Sequence, residues 1–194
     1  MNRRSFIAYL SAAALYPYPN HHLIFVVYAG GARKKDYYED ASLARNVRRL
    51  ARDGVVFEEE HCEQVASHDA AFDQLTQELK PTCVVESVRE IPKVLEQRRP
   101  RVLVVREMAH DIGHESFERY LGAVRKTDDE IGLIFDWIKS HPEFRNNTSV
   151  AIRPVFGRDD EVNSNGELHH SYGFYYTHRV ASIFWGPVIL GEVS

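Results

Sequence analysis

The chain has 194 residues, 44% of them hydrophobic and 27% charged, and a formal net charge of −4. That length buries a core without metal or disulfide support, and the balance is that of an ordinary globular protein. A mildly acidic chain with scattered basic residues carries no nucleic-acid footprint, and no apolar run approaches the roughly 20 residues of a membrane-spanning helix.

Residues 1–19, MNRRSFIAYLSAAALYPYP, join an arginine pair to a short apolar segment and then to Pro17 and Pro19, with no acidic residue. This is the layout of a signal peptide, and Arg3-Arg4-Ser5-Phe6-Ile7 is similar to a bacterial twin-arginine export signal. The expectation is an export signal over 1–19, a single domain over 20–194, and a periplasmic or secreted location. A short amphipathic starting helix is the alternative.

Residues 22–29, HLIFVVYA, form an unbroken apolar run of strand length closed by Gly30-Gly31, which predicts a buried first strand and a tight turn. A helix is expected over 42–52, with Leu43, Val47 and Leu50 on one face and Gly54 as its stop. A short strand at 55–57 and a helix over 69–79 follow. Residues 82–97 read as helical but interrupted by Pro92, and 101–106, RVLVVR, as a buried strand. The clearest helical period spans 114–140, through Phe117, Leu121, Val124, Ile131, Ile134, Phe135 and Ile138. Strands at 147–155 and 180–185 complete the chain. Cys62 and Cys83 are either two thiols or one bridge. Apolar strands alternating with helices predict an α/β three-layer sandwich, a largely parallel sheet covered by helices on both faces.

In such sheets ligands bind at the carboxyl ends of the strands. Gly30-Gly31, the segment His110 to His114 and the segment from Phe156 to His170 all follow predicted strands, so they are expected to meet at one sheet edge. His110 and His114, four apart, share a face if their turn is α-helical. With His169 or His170 they would make a three-nitrogen site for one Zn²⁺ or another divalent ion, with Asp111 as a ligand or an orienting partner. Ordinary polar residues at a strand-to-helix junction are the competing interpretation. Ser67 is either a nucleophile or the cap of the helix that follows it. Arg33 and Lys34, near the first turn, are candidates to bind an anionic ester, with Lys35 beside them. Arg158, Asp159, Asp160 and Glu161 read most simply as a solvated loop, and Tyr172, Phe174, Tyr175 and Tyr176 as a packed aromatic one.

On these residues the chain resembles the alkaline phosphatase superfamily, which includes sulfatases and phosphodiesterases. LIFVVYAGGARKKD is similar to the family's opening strand and metal-binding turn. NVRRLARDGVVFEEEHCEQVASHDAAFDQLT is similar to the stretch leading to the nucleophile, where Ser67 falls at the nucleophile's position. HDIGH with YLGAVRKTDDEIGLIFDWI resembles the second metal segment and its long helix, and FGRDDEVNSNGELHH resembles a segment of exported, sulfatase-related bacterial proteins.

The resemblance implies an alkaline-phosphatase-like fold and a metal-dependent hydrolase of phosphate or sulfate esters. It also implies that only one of two metal positions survives. The first maps onto His110, His114 and His169 or His170. The second maps onto Gly30, Ser67 and Val155-Phe156, which supply almost no donors. An alternative from another class is an inactive relative that binds a ligand or serves as an assembly subunit, with a protein rather than a small ester as its partner.

Overall fold

The computed structural model describes residues 20–77 and 79–187. The expected export signal, residues 1–19, lies outside the described residues.

Six strands form one sheet in the order β2-β6-β5-β1-β4-β3. The first, β1 (His22–Tyr28), pairs in parallel with β4 (Val102–Glu107) on one side and with β5 (Thr148–Pro154) on the other. Beyond β4 lies the short β3 (Cys83–Val85), also parallel. Beyond β5, β6 (Arg179–Trp185) runs antiparallel and pairs in turn with the edge strand β2 (Val55–His61). The expected largely parallel sheet is therefore present, with β6 alone reversed.

All seven residues of β1 are buried, which explains its unbroken apolar run. Alternate side chains feed two cores. Ile24, Val26 and Tyr28 join one, Leu23, Phe25 and Val27 the other. The first core is covered by α1 (Arg45–Arg52), α3 (Ile91–Arg98) and α4 (Phe117–Ser140). The second is covered by α2 (His68–Thr76) through Ala71, Phe72 and Leu75. Helices on both faces make the expected three layers. Each fully buried Leu, Ile, Val or Phe contributes about 1.5–3 kcal/mol on leaving water.

Local expectations change: the strand expected at 55–57 runs on to His61, and the helix expected over 42–52 starts at Arg45. Residues 82–97 are not one interrupted helix: Cys83–Val85 is a strand, and Pro92 stands in the first turn of α3, where its missing N–H costs nothing. The long helix starts at Phe117 rather than His114, because Ser116 caps it, its Oγ accepting from Arg119 N at 3.3 Å. Before it, Ala109–His114 is a 3-10 turn. Cys62 and Cys83 are free thiols. Among the described residues no helix is long and apolar enough to cross a membrane.

Candidate metal centre

Three chain segments meet beyond the carboxyl ends of β1, β4 and β5, as the sequence leads one to expect. Gly30 makes the approach possible. A Cβ there would fall 2.4 Å from Asp111 N and 3.0 Å from Met108 O, so only glycine lets the turn after β1 pack against the turn after β4. Arg158 then ties the pieces together. Its guanidinium is fully buried and donates to Gly30 O at 2.6 Å, Gly31 O at 3.2 Å, His110 O at 3.0 Å and also to Leu168 O. Asp159, beside it, accepts from Ser171 N and Oγ, both at 2.6 Å, and from Thr177 Oγ1 at 3.1 Å. Arg158 and Asp159 are thus internal fastenings, not parts of a solvated loop.

At this junction His68, His114 and His170 each offer one ring nitrogen, all within 4.8 Å of one another. Their hydrogen bonds fix which nitrogen is bare. His68 Nδ1 lies 2.7 Å from Ala29 O, and His170 Nδ1 lies 2.8 Å from Val65 O. A carbonyl only accepts, so both Nδ1 atoms carry a proton, and in the neutral ring the free electron pair lies on Nε2. Burial and neighbouring histidines lower the His170 pKa to about 4. Burial and the Arg158 charge lower that of His114 as well. Both imidazoles are therefore neutral, the form that binds metal.

Asp111 approaches the same group. Its Oδ1 is 3.0 Å from His68 Nε2 and 3.5 Å from His114 Nε2. Neither Oδ1 of Asp111 nor Nε2 of His68 has a hydrogen-bond partner, although both atoms are buried. Ligands of a tetrahedral Zn²⁺ stand about 3.3 Å apart for bonds of about 2.0–2.1 Å. Three imidazole nitrogens within 4.8 Å of one another, with a carboxylate oxygen beside two of them, are a donor set of the kind that holds one divalent ion.

The 3-10 geometry explains which residues assemble. With three residues per turn, positions three apart eclipse and positions four apart diverge. Asp111 and His114 therefore meet, whereas His110 points away. His110 is fully buried, its ring 4.5 Å from Tyr28 and edge-on to Tyr120, and burial lowers its pKa to about 3. His169 stands behind His114, their Nδ1 atoms 2.9 Å apart. His68, absent from the sequence-based set, occupies the place expected of His110. Its signal was its position directly after Ser67, as the first residue of α2.

Ser67 is exposed and caps α2, its Oγ accepting from Ala70 N at 3.3 Å. Among the described residues one group of His, Cys, Asp or Glu donors converges, the one already named, and it does not include the positions expected for a second metal. The Cβ direction of Gly30 is filled by Asp111 and His110 backbone, and Val155 and Phe156 are buried in the second core. On the same sheet end, Arg33, Lys34, Lys35, Arg158, Arg179 and Tyr176 line a cleft of about 300 Å³, with Glu39, Glu59 and Asp160. Arg33 is buried against Asp36 at 2.6 Å, and Lys34 reaches Glu59 at 2.7 Å. Tyr172, Phe174, Tyr175 and Tyr176 are all more than half exposed, so the aromatic loop is not packed away.

No protein-family model matches the chain, and no curated protein matches it in sequence. Solved structures do. The C-terminal periplasmic domain of phosphoethanolamine transferase EptC from Campylobacter jejuni is similar with a TM-score of 0.52 and 12% identity, over 87% of this chain and 80% of that one. The lipoteichoic acid synthase LtaP from Listeria monocytogenes gives 0.50 and 8%, over 93% and 68%. A protein in the alkaline phosphatase superfamily from Vibrio parahaemolyticus gives 0.47 and 11%, over 97% and 70%. The fold is the alkaline-phosphatase-like one that the sequence resemblance implies. Fold alone does not carry an activity.

Proposed function

We propose that this protein is an exported, divalent-metal-dependent hydrolase of phosphate or sulfate esters with a single metal position, held by His68, His114, His170 and Asp111. The observation that carries it is the convergence of the bare Nε2 of His68 and Oδ1 of Asp111, both buried and without hydrogen-bond partners, on two further neutral imidazoles. An ion bound there, Zn²⁺ being the natural choice for nitrogen-rich donors, supplies Lewis-acid stabilisation of an ester oxygen.

The chain's own groups do the rest. Ser67, adjoining His68, is the proposed nucleophile. Its Oγ displaces the alcohol from phosphorus or sulfur, the serine proton leaves with that alcohol, and water then releases inorganic phosphate or sulfate and regenerates the hydroxyl. Arg33 and Lys34 line the neighbouring cleft, where they would face the anionic part of an ester. The periplasmic or secreted location rests on the leader in residues 1–19.

The test is metal content by elemental mass spectrometry on protein purified without chelator or affinity-tag metal, paired with turnover of aryl phosphate and aryl sulfate esters. About one ion per chain, lost with turnover in His170→Ala, is the expected result. Turnover that survives Ser67→Ala would transfer the attack to water. An ion without turnover on any ester would favour the alternative, a metal-binding assembly subunit, which the capping role of Ser67 Oγ also suits.

A further inference from the structure

His68 and His170 have their tautomers set by backbone carbonyls, which the fold fixes. His114 differs, because what stands behind it is a pair of side chains. His114 Nδ1 is 2.9 Å from His169 Nδ1, and His169 Nε2 is 3.1 Å from Glu167 Oε2. Glu167 is itself held by Asn163 Nδ2, which donates to the same oxygen at 2.7 Å.

The proton positions follow from what each atom is able to do. A carboxylate accepts and does not donate, so the hydrogen between His169 and Glu167 belongs to His169 Nε2. With its proton held at Nε2 by Glu167, the single-proton imidazole of His169 presents a bare Nδ1 to His114. The single hydrogen between the two Nδ1 atoms must therefore belong to His114, and His114 Nε2 is left bare, facing Asp111. We infer that Glu167 and His169 form a positioning strut that fixes His114 in its metal-binding tautomer and orientation and sets the cation affinity of the site. This deepens the metal-centre reading above and rests on it.

The strut is built into the surrounding loop. Asn163 Oδ1 accepts from Asn165 N at 2.9 Å and Glu167 N at 3.0 Å, Leu168 N donates to Gly113 O at 2.7 Å, and Asp159 N donates to His169 O at 2.9 Å. The two side chains keep 41% and 27% of their surface exposed, for His169 and Glu167 respectively. Replacing them leaves those backbone bonds in place. The role separates His169 from the ligands: it acts through His114 and does not reach the group of converging nitrogens.

Two measurements on the full chain decide the matter. In metal-free protein, nitrogen-15 NMR of the histidine rings should show His114 protonated at Nδ1 and bare at Nε2. A His114 protonated at Nε2 overturns the inference whether or not the protein binds metal. Zn²⁺ affinity, read by competition with a chromophoric chelator, should fall about 10- to 100-fold in His169→Phe, which keeps a ring but offers no acceptor. Glu167→Ala should weaken it too, and His169→Gln, which restores an acceptor, should recover part of the loss. Unchanged affinity in His169→Phe overturns the strut while leaving the metal site standing. No Zn²⁺ binding by the unsubstituted chain overturns the metal site, and the NMR result still decides the tautomer.

Discussion

In the cleft beside the site, Arg33 faces Asp36, Lys34 faces Glu39 and Glu59, and Lys35 faces Asp160. A few residues away, beside Arg158, the histidine group holds a different arrangement: three imidazole nitrogens converge next to the Asp111 carboxylate. In the cleft these three basic residues each have a carboxylate partner. The histidine group has a looser internal balance: the Arg158 guanidinium lies 3.7 Å from Asp111, while His68 Nε2 and Asp111 Oδ1 are buried without a hydrogen-bond partner. The contrast shows that an accumulation of positive residues is a weaker sign of a ligand than a small set of acceptors with nothing to accept from.

The sharpest way to break the comparison is to remove the residue that joins the two regions. Arg158 serves both, contributing to the cleft lining and lying 3.7 Å from Asp111. Arg158→Met should strip donors from several buried carbonyls and cost on the order of 3–5 kcal/mol. Urea unfolding would measure it, and a loss under about 1 kcal/mol would mean the three loops hold without it.

Adding metal should separate the regions. Zn²⁺ at a hundredfold over its dissociation constant should stabilise the fold by about 2.7 kcal/mol, visible as a raised melting temperature that chelator reverses. His170→Ala should abolish that rise and Lys34→Ala should keep it. Equal loss in both variants would show that the cleft takes part in cation binding.

Within the cleft itself, Lys34→Ala should cost less than about 1 kcal/mol, and high salt should shrink the difference, because Glu59 is half exposed. A larger, salt-independent loss would mark the pair as structural.

A pH titration supplies the control at the opposite end of the sheet. Burial, with the His22 and Arg101 charges, lowers the His21 pKa from 6.5 to about 4. Between those values the unfolded chain binds a proton that the folded chain does not. The contribution is complete above pH 6.5 and is lost as pH falls towards 4. His21→Gln should flatten that part of the stability curve and leave Zn²⁺ binding unchanged. An unaltered slope would assign the acid sensitivity to other groups.

Much of this was readable from the residues. The apolar runs at 22–29 and 101–106 are β1 and β4 because a strand buried on both faces needs no alternation. The convergence of three loops followed from strand polarity alone. The membership of the site did not, and the reasons are local. A spacing of four identifies a common face only in an α-helix, and residues 109–114 form a 3-10 turn, which exchanges His110 for Asp111. Arg158 sits among acidic residues and reads as solvent-facing; the carbonyls that enclose it come from distant parts of the chain. β3 was hidden by its length, since three residues show no period.

The edge strand β2 carries a bulge between Phe57 and Glu60, with Glu59 in the left-handed region at φ 58°. The extra residue turns Glu60 inward to Arg153 and leaves Glu58 and Glu59 outward on a kinked margin. At the other margin β3 is only three residues long. One border is thus bent and acidic and the other only three residues long, so among the described residues neither edge is a straight, apolar rail on which a second copy could pair. Deleting Glu59 would straighten β2 and should raise light scattering from aggregates before it lowers the melting temperature.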